Sequence, residues 1–167
     1  PVTEDLMIGH LRDVEQFPTI LSGDLKSDDG PGSDSRSDNC YAVVTSMAND
    51  TSAVLDGLVI TGGSGARGSG LSCYGSAPKI VDCTFTDNIA FGYNWHSESD
   101  EGDGGAVYNL GGSPVFERCR FENNRADSDG GAVWSCDYAE LTLSQCTFVG
   151  NIARGRGGAV GGSLCDI

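Results

Sequence analysis

The sequence predicts an all-β fold, a right-handed parallel β-helix (a solenoid) of about five coils with a period of 27 residues. Three observations lead there. Glycine fills 25 of 167 positions, against about 7% in ordinary chains. Each glycine inside a helix costs about 1 kcal/mol relative to alanine, so the composition favours strands and turns. Second, 80–90 (IVDCTFTDNIA), 116–126 (FERCRFENNRA) and 143–153 (LSQCTFVGNIA) share an apolar-x-x-Cys-x-Phe-x-x-Asn-x-Ala pattern. Third, a GGAV element at 104–107, 130–133 and 157–160 alternates with that pattern. A unit this short cannot bury a face alone and must stack on its neighbours.

Taken in order, residues 1–16 have a helix-like mix and are expected to cap the first coil or to dock on another subunit; residues 17–167 form the β-helix. PTILSGDL (18–25) and CYAVVTS (40–46) read as one coil interrupted by an acidic, glycine-rich loop at 26–39. VLDGLVITGG (54–63) reads as a degenerate copy, with Val54, Gly57, Val59 and Gly62 in the four repeat positions. GSGLSCY (68–74) stands in for its GGAV element. Phe121 to Gly130 and Phe148 to Gly157 are both 9 residues, whereas Phe85 to Gly104 is 19, so one coil carries a ten-residue insertion within 89–103.

Stacked strands lie about 4.8 Å apart, so equivalent residues should form columns. The expected columns are Cys83, Cys119 and Cys146; Phe85, Phe121 and Phe148; and Asn88, Asn124 and Asn151. Asparagine amides at a turn can link to one another along the axis and satisfy buried donors and acceptors. The competing leucine-rich repeat matches 80–90, but the DGGAV half-unit lacks helix-period apolar residues, and alanine replaces the last leucine in all three copies.

Acids exceed bases by 24 to 10, a net charge of −14. Such a surface repels nucleic acid and anionic membranes. No apolar run reaches the ~20 residues of a membrane span. Seven cysteines without a CxxC, and only two histidines, disfavour zinc and point to an extracellular or cell-surface setting. The repeated ten-residue spacing suggests disulfides Cys73–Cys83 and Cys136–Cys146, with an inert thiol column as the alternative.

The paired tetrapeptides, FxxN at Phe85–Asn88, Phe121–Asn124 and Phe148–Asn151 and the three GGAV elements, resemble the repeats of chlamydial polymorphic outer-membrane proteins. They also resemble the wider right-handed β-helix proteins of the pectin-lyase-like superfamily. The match covers 52–167 well and 17–50 loosely. The resemblance implies a secreted or surface-exposed module, often adhesive.

Catalysis is not expected. Asp103 and Asp129 stand in equivalent places before Gly-Gly, with Glu101, Asp127, Arg125, Arg154 and Arg156 nearby, but acids before glycine are ordinary turn residues. No cofactor is expected apart from calcium, for which Asp24, Asp28, Asp29 and Asp34 are weak candidates. The insertion offers Phe91, Tyr93, Trp95 and His96 either to a carbohydrate or cell-surface partner or to the coil's own apolar side. Asn49 begins a glycosylation sequon. The functional expectation is an extracellular structural or adhesive module that self-associates through its ends into a fibre or surface layer. The runner-up is a polysaccharide-binding or polysaccharide-cleaving β-helix. The end-to-end expectation starts from GGAVGGSLCDI (157–167), which stops in mid-repeat; a fragment of a longer chain is its rival.

Overall fold

The computed structural model describes residues 13–14, 16–29, 33–92 and 102–164. They form a parallel β-helix of five coils. Coil one has β1 (Thr19–Ser22), a 3-10 helix (Ser33–Asp38) and β2 (Val44–Met47). Coil two has β3 (Val54–Asp56), β4 (Leu58–Thr61), β5 (Ser64–Gly65) and β6 (Leu71–Tyr74). Coil three has β7 (Lys79–Val81), β8 (Thr84–Thr86), β9 (Ile89–Ala90) and β10 (Val107–Leu110). Coil four has β11 (Val115–Glu117), β12 (Arg120–Glu122), β13 (Arg125–Ala126) and β14 (Val133–Cys136). Coil five has β15 (Thr142–Ser144), β16 (Thr147–Val149), β17 (Ile152–Ala153) and β18 (Val160–Ser163).

Equivalent strands stack into four parallel sheets: β1-β4-β8-β12-β16, β2-β6-β10-β14-β18, β3-β7-β11-β15 and β5-β9-β13-β17. Alternation within each strand decides what fills the interior. In β8, Thr84 and Thr86 face outward around a fully buried Phe85. Register then builds the columns: Leu21, Ile60, Phe85, Phe121 and Phe148, and Val44, Leu71, Val107, Val133 and Val160. The phenylalanine rings stack at 5.1 and 4.8 Å, and Phe116 meets Phe85 and Phe121 edge-on.

Gly-Gly has two separate jobs at each corner. Gly104, Gly130 and Gly157 adopt φ of +64°, +65° and +66°, a region that favours glycine. The second glycine makes room for the next coil. A Cβ on Gly131 would lie 2.0 Å from the Gly158 carbonyl oxygen, and one on Gly105 would lie 2.2 Å from that of Gly131.

Two sequence expectations are corrected. Coil two is one residue out of register from the reading above: Leu55, Leu58, Ile60 and Gly63, not Val54, Gly57, Val59 and Gly62, align with the repeat positions. A one-residue slip exchanges the two faces of a strand, and the true register buries Ile60.

The second correction concerns the disulfides. Cys40, Cys73, Cys83, Cys119, Cys136 and Cys146 are all free thiols. Cys73 aligns with Asn109 and Ser135, whereas Cys136 aligns with Tyr74 and Leu110. Cys73 to Ile80 is 7 residues but Ser135 to Leu143 is 8. The longer turn after β14 therefore leaves the ten-residue spacing the same while it puts Cys136 on the outer face. There it packs with Tyr108 and Trp134. Cys73, Cys83 and Cys119 belong to the interior, with Cys146 packed against it.

Candidate functional site

Three features of the coils bring polar candidate residues together. The first is the asparagine corner. The structure brings Asn88, Asn124 and Asn151 into one column. Asn88 Nδ2 donates to Asn124 Oδ1 at 3.1 Å, and Asn124 Nδ2 donates to Asn151 Oδ1 at 2.9 Å. The second Nδ2 hydrogen goes to the preceding coil: Ile60, Phe85 and Phe121 carbonyls accept at 3.0, 3.0 and 2.9 Å. The main-chain N–H groups of Asn88 and Asn124 donate to the Oδ1 of the next asparagine. In coil two Gly63 occupies this place, and its N–H donates to Asn88 Oδ1.

The second feature lies at the next corner, beyond the short strands β5, β9, β13 and β17, where Arg67, Asp103, Asp129 and Arg156 share one place before glycine. Asp103 Oδ1 accepts the Asp129 N–H at 2.9 Å. Asp129 accepts the Arg156 N–H on one oxygen and its Nε and Nη2 on the other, at 3.1 and 2.8 Å. The Arg67 guanidinium lies 5.5 Å over the Tyr108 ring and that of Arg156 lies 5.6 Å over Trp134. Asp127 pairs with Arg125 at 3.0 Å and Arg154 at 3.5 Å. The catalytic candidates are thus held as ties between coils; Glu101 lies outside the described residues.

The third feature is a cleft on the outer face of the β2-β6-β10-β14-β18 sheet. The outward column there runs Thr45, Ser72, Tyr108, Trp134, Gly161. Tyr108 and Trp134 are buried although they face outward, at 0% and 4% exposure. Trp134 extends over Gly161, where a Cβ would lie 2.8 Å from its ring. Thr45 and Ser72 are short, and above them opens a cleft of about 640 Å3 lined also by Tyr41, Ala66, Arg67 and Tyr74. Tyr41 is 77% exposed. The Ser72 hydroxyl donates to the Arg67 carbonyl at 2.9 Å.

The predicted insertion springs from the rim of this cleft. Phe91 N–H and Gly102 N–H bond the carbonyls of Gly65 and Ala66, both at 2.7 Å. Tyr93, Trp95 and His96 lie outside the described residues. Phe91 is half-buried. No signal in the sequence marked the cleft itself, because it arises where side chains are small.

The remaining candidates fall elsewhere. Asp24, Asp28 and Asp29 converge, with carboxylate oxygens within 4.8 Å of one another. Burial pushes the Asp24 carboxyl up, but main-chain N–H bonds from Asp29, Asp28, Ser27 and Lys26 outweigh it and hold the group below its usual range. Asp34 falls in the 3-10 helix. Asn49 is exposed at the corner after β2, and its Nδ2 donates to Ser46 at 3.0 Å. Cys83, Cys119 and Cys146 sit in one column and donate to the carbonyls of Val81, Glu117 and Ser144. Burial pushes the Cys73 and Cys119 thiols up to about 12.

No helix among the described residues is long and apolar enough to cross a membrane. A family model described as "right handed beta helix region" matches residues 32–163. No curated protein and no solved structure matches. Four stacked parallel sheets and a family match over most of the sequence agree, and the chain belongs to the right-handed β-helix family.

Proposed function

We propose that this chain is an extracellular structural or adhesive module and not an enzyme: a stiff segment of β-helix that presents the outer face of one sheet to a partner. The observation that carries this reading is the state of the corner acids. Asp129 accepts three hydrogen bonds from Arg156, and Asp103 accepts the Asp129 N–H. Carboxylates held this way tie coils together. Acid–base chemistry on a glycan needs two carboxyls that flank an open bond. Self-association through the ends belongs to the same reading. The exposed large apolar side chains among the described residues fall in two groups, from Phe17 to Val54 on coil one and the first strand of coil two, and from Tyr138 to Leu164 on or beside coil five.

A second reading, polysaccharide binding, is favoured by the cleft. Tyrosine faces stack on sugar rings, and Thr45, Ser72 and Arg67 offer polar partners beneath Tyr41 and Tyr74. The two readings separate in one experiment. The purified chain is incubated with neutral and acidic polysaccharides and with intact cells, and product release and retention are both measured. The structural or adhesive reading expects retention on cells without product. Release of shortened chains that Asp129→Asn abolishes would overturn it.

A further inference from the structure

We propose that the cleft over Thr45 and Ser72 binds a neutral glycan, with the Tyr41 and Tyr74 rings against sugar faces and the Thr45 hydroxyl bonded to a sugar hydroxyl. This rests on the polysaccharide-binding reading of the cleft and narrows it to uncharged sugars. Among the described residues the lining is two tyrosines, two alanines, two hydroxyls and one guanidinium, with no carboxylate. The volume, about 640 Å3, falls in the range of small-molecule sites, roughly 300–1,000 Å3.

The floor and the far wall of the cleft are built into the coils. Ser72 is 3% exposed, and its hydroxyl is bonded to the Arg67 and Gly68 carbonyls at 2.9 and 3.2 Å. Tyr108 of coil three stands behind Tyr74, with the ring centroids 6.4 Å apart and the planes tilted by 51°. Tyr108 is fully buried, and its hydroxyl accepts the Cys136 thiol hydrogen at 3.4 Å. Tyr74 therefore leans on a wall that packing holds in place. Tyr41, on the near side, keeps its ring in water. An aromatic face in water gains free energy when the apolar C–H face of a sugar covers it.

Charge selects an uncharged occupant. The whole chain carries −14, a field that repels polyanions. Phe91 and Gly102 are bonded at the rim to Gly65 and Ala66, and the sequence between them adds Glu98, Asp100 and Glu101. The Arg67 guanidinium lies 5.5 Å over the Tyr108 ring, where cation–π attraction engages it. A cationic occupant would meet that guanidinium and find no carboxylate among the described lining residues. A neutral sugar needs an apolar face and a few hydroxyl partners, and Tyr41, Tyr74 and Thr45 supply both.

The test uses the whole chain and three hexasaccharide probes: β-1,4-linked glucose and β-1,4-linked mannose as neutral glycans, and α-1,4-linked galacturonate as the acidic one. Each is titrated by calorimetry. The expected result is saturable binding of at least one neutral probe, about tenfold or more tighter than the galacturonate, and unchanged between about 20 and 500 mM NaCl. Tyr41→Ala should keep the Tm within about 1 °C, because the ring is exposed, and weaken neutral binding about fivefold or more. Tyr41→Phe keeps the ring and should stay within about twofold of the wild type. Tighter binding of galacturonate, or undiminished neutral binding in Tyr41→Ala, would overturn this proposal and leave the polysaccharide-binding reading standing. Absence of binding by all three probes up to about 10 mM would overturn both.

Discussion

The two corners of the coil solve the same problem with different chemistry. On one, Asn88, Asn124 and Asn151 repeat a single residue type. On the other, the equivalent places hold Arg67, Asp103, Asp129 and Arg156. An amide both donates and accepts, so identical asparagines satisfy one another and the column propagates unchanged. A carboxylate only accepts. A run of acids therefore has to borrow main-chain N–H groups and be balanced by a cation, here by Arg156 beyond the pair. The polarity reverses as well. Each asparagine N–H donates forward to the next coil's side chain, whereas each aspartate side chain accepts from the next coil's N–H.

The largest expected effect exchanges the chemistry of the two corners. Asn124→Asp replaces the amide nitrogen with an oxygen that faces the Phe85 carbonyl and Asn151 Oδ1. A buried charge with one oxygen left without a donor, while the other keeps the Asn88 N–H and Nδ2, should cost about 3–5 kcal/mol at pH 7, read as a fall in the denaturant midpoint. Asn124→Ala removes the amide without adding charge, and should cost about 1–3 kcal/mol. Asp129→Ala leaves the Arg156 N–H unpaired at a wetter corner, where the Arg156 side chain is 78% exposed; about 1–2 kcal/mol is expected. Asp129→Asn keeps an oxygen for that N–H and gives up the ion pair to a guanidinium that is itself largely exposed, so a change of about 1 kcal/mol should follow. If Asp129→Asn cost as much as Asn124→Asp, the two corners would not differ as described.

The same contrast explains what the sequence could disclose. The asparagine corner was legible because one letter recurs at one place in each copy, three residues after Phe85, Phe121 and Phe148. The aspartate corner was only half legible. Asp103 and Asp129 stand before Gly-Gly as a visible pair, but Arg67 and Arg156 share no letter with them. Coil two was misaligned because Leu58 and Gly63 replace the cysteine and asparagine that anchor the other copies. The expected disulfides failed through a turn of unequal length, which leaves the spacing of Cys136 and Cys146 intact while it reverses which way Cys136 faces. The cleft was illegible for a different reason. It depends on Thr45 and Ser72 standing in register with Tyr108 and Trp134, and small residues in separate coils announce nothing until the register is known.

The most direct measurement is the pH dependence of the loss caused by Asn124→Asp, from denaturant titrations of wild type and variant at pH 7 and pH 4. Burial against two acceptors should raise the folded-state pKa of the introduced carboxyl above its unfolded value near 3.9. The destabilisation is therefore full above the folded pKa and shrinks as pH falls through it, because the protonated group regains a donor. The account predicts a loss at pH 4 smaller than that at pH 7 by at least about 1 kcal/mol, the worth of one restored hydrogen bond. An equal loss at both values would contradict the claim that donor–acceptor complementarity holds the asparagine column together.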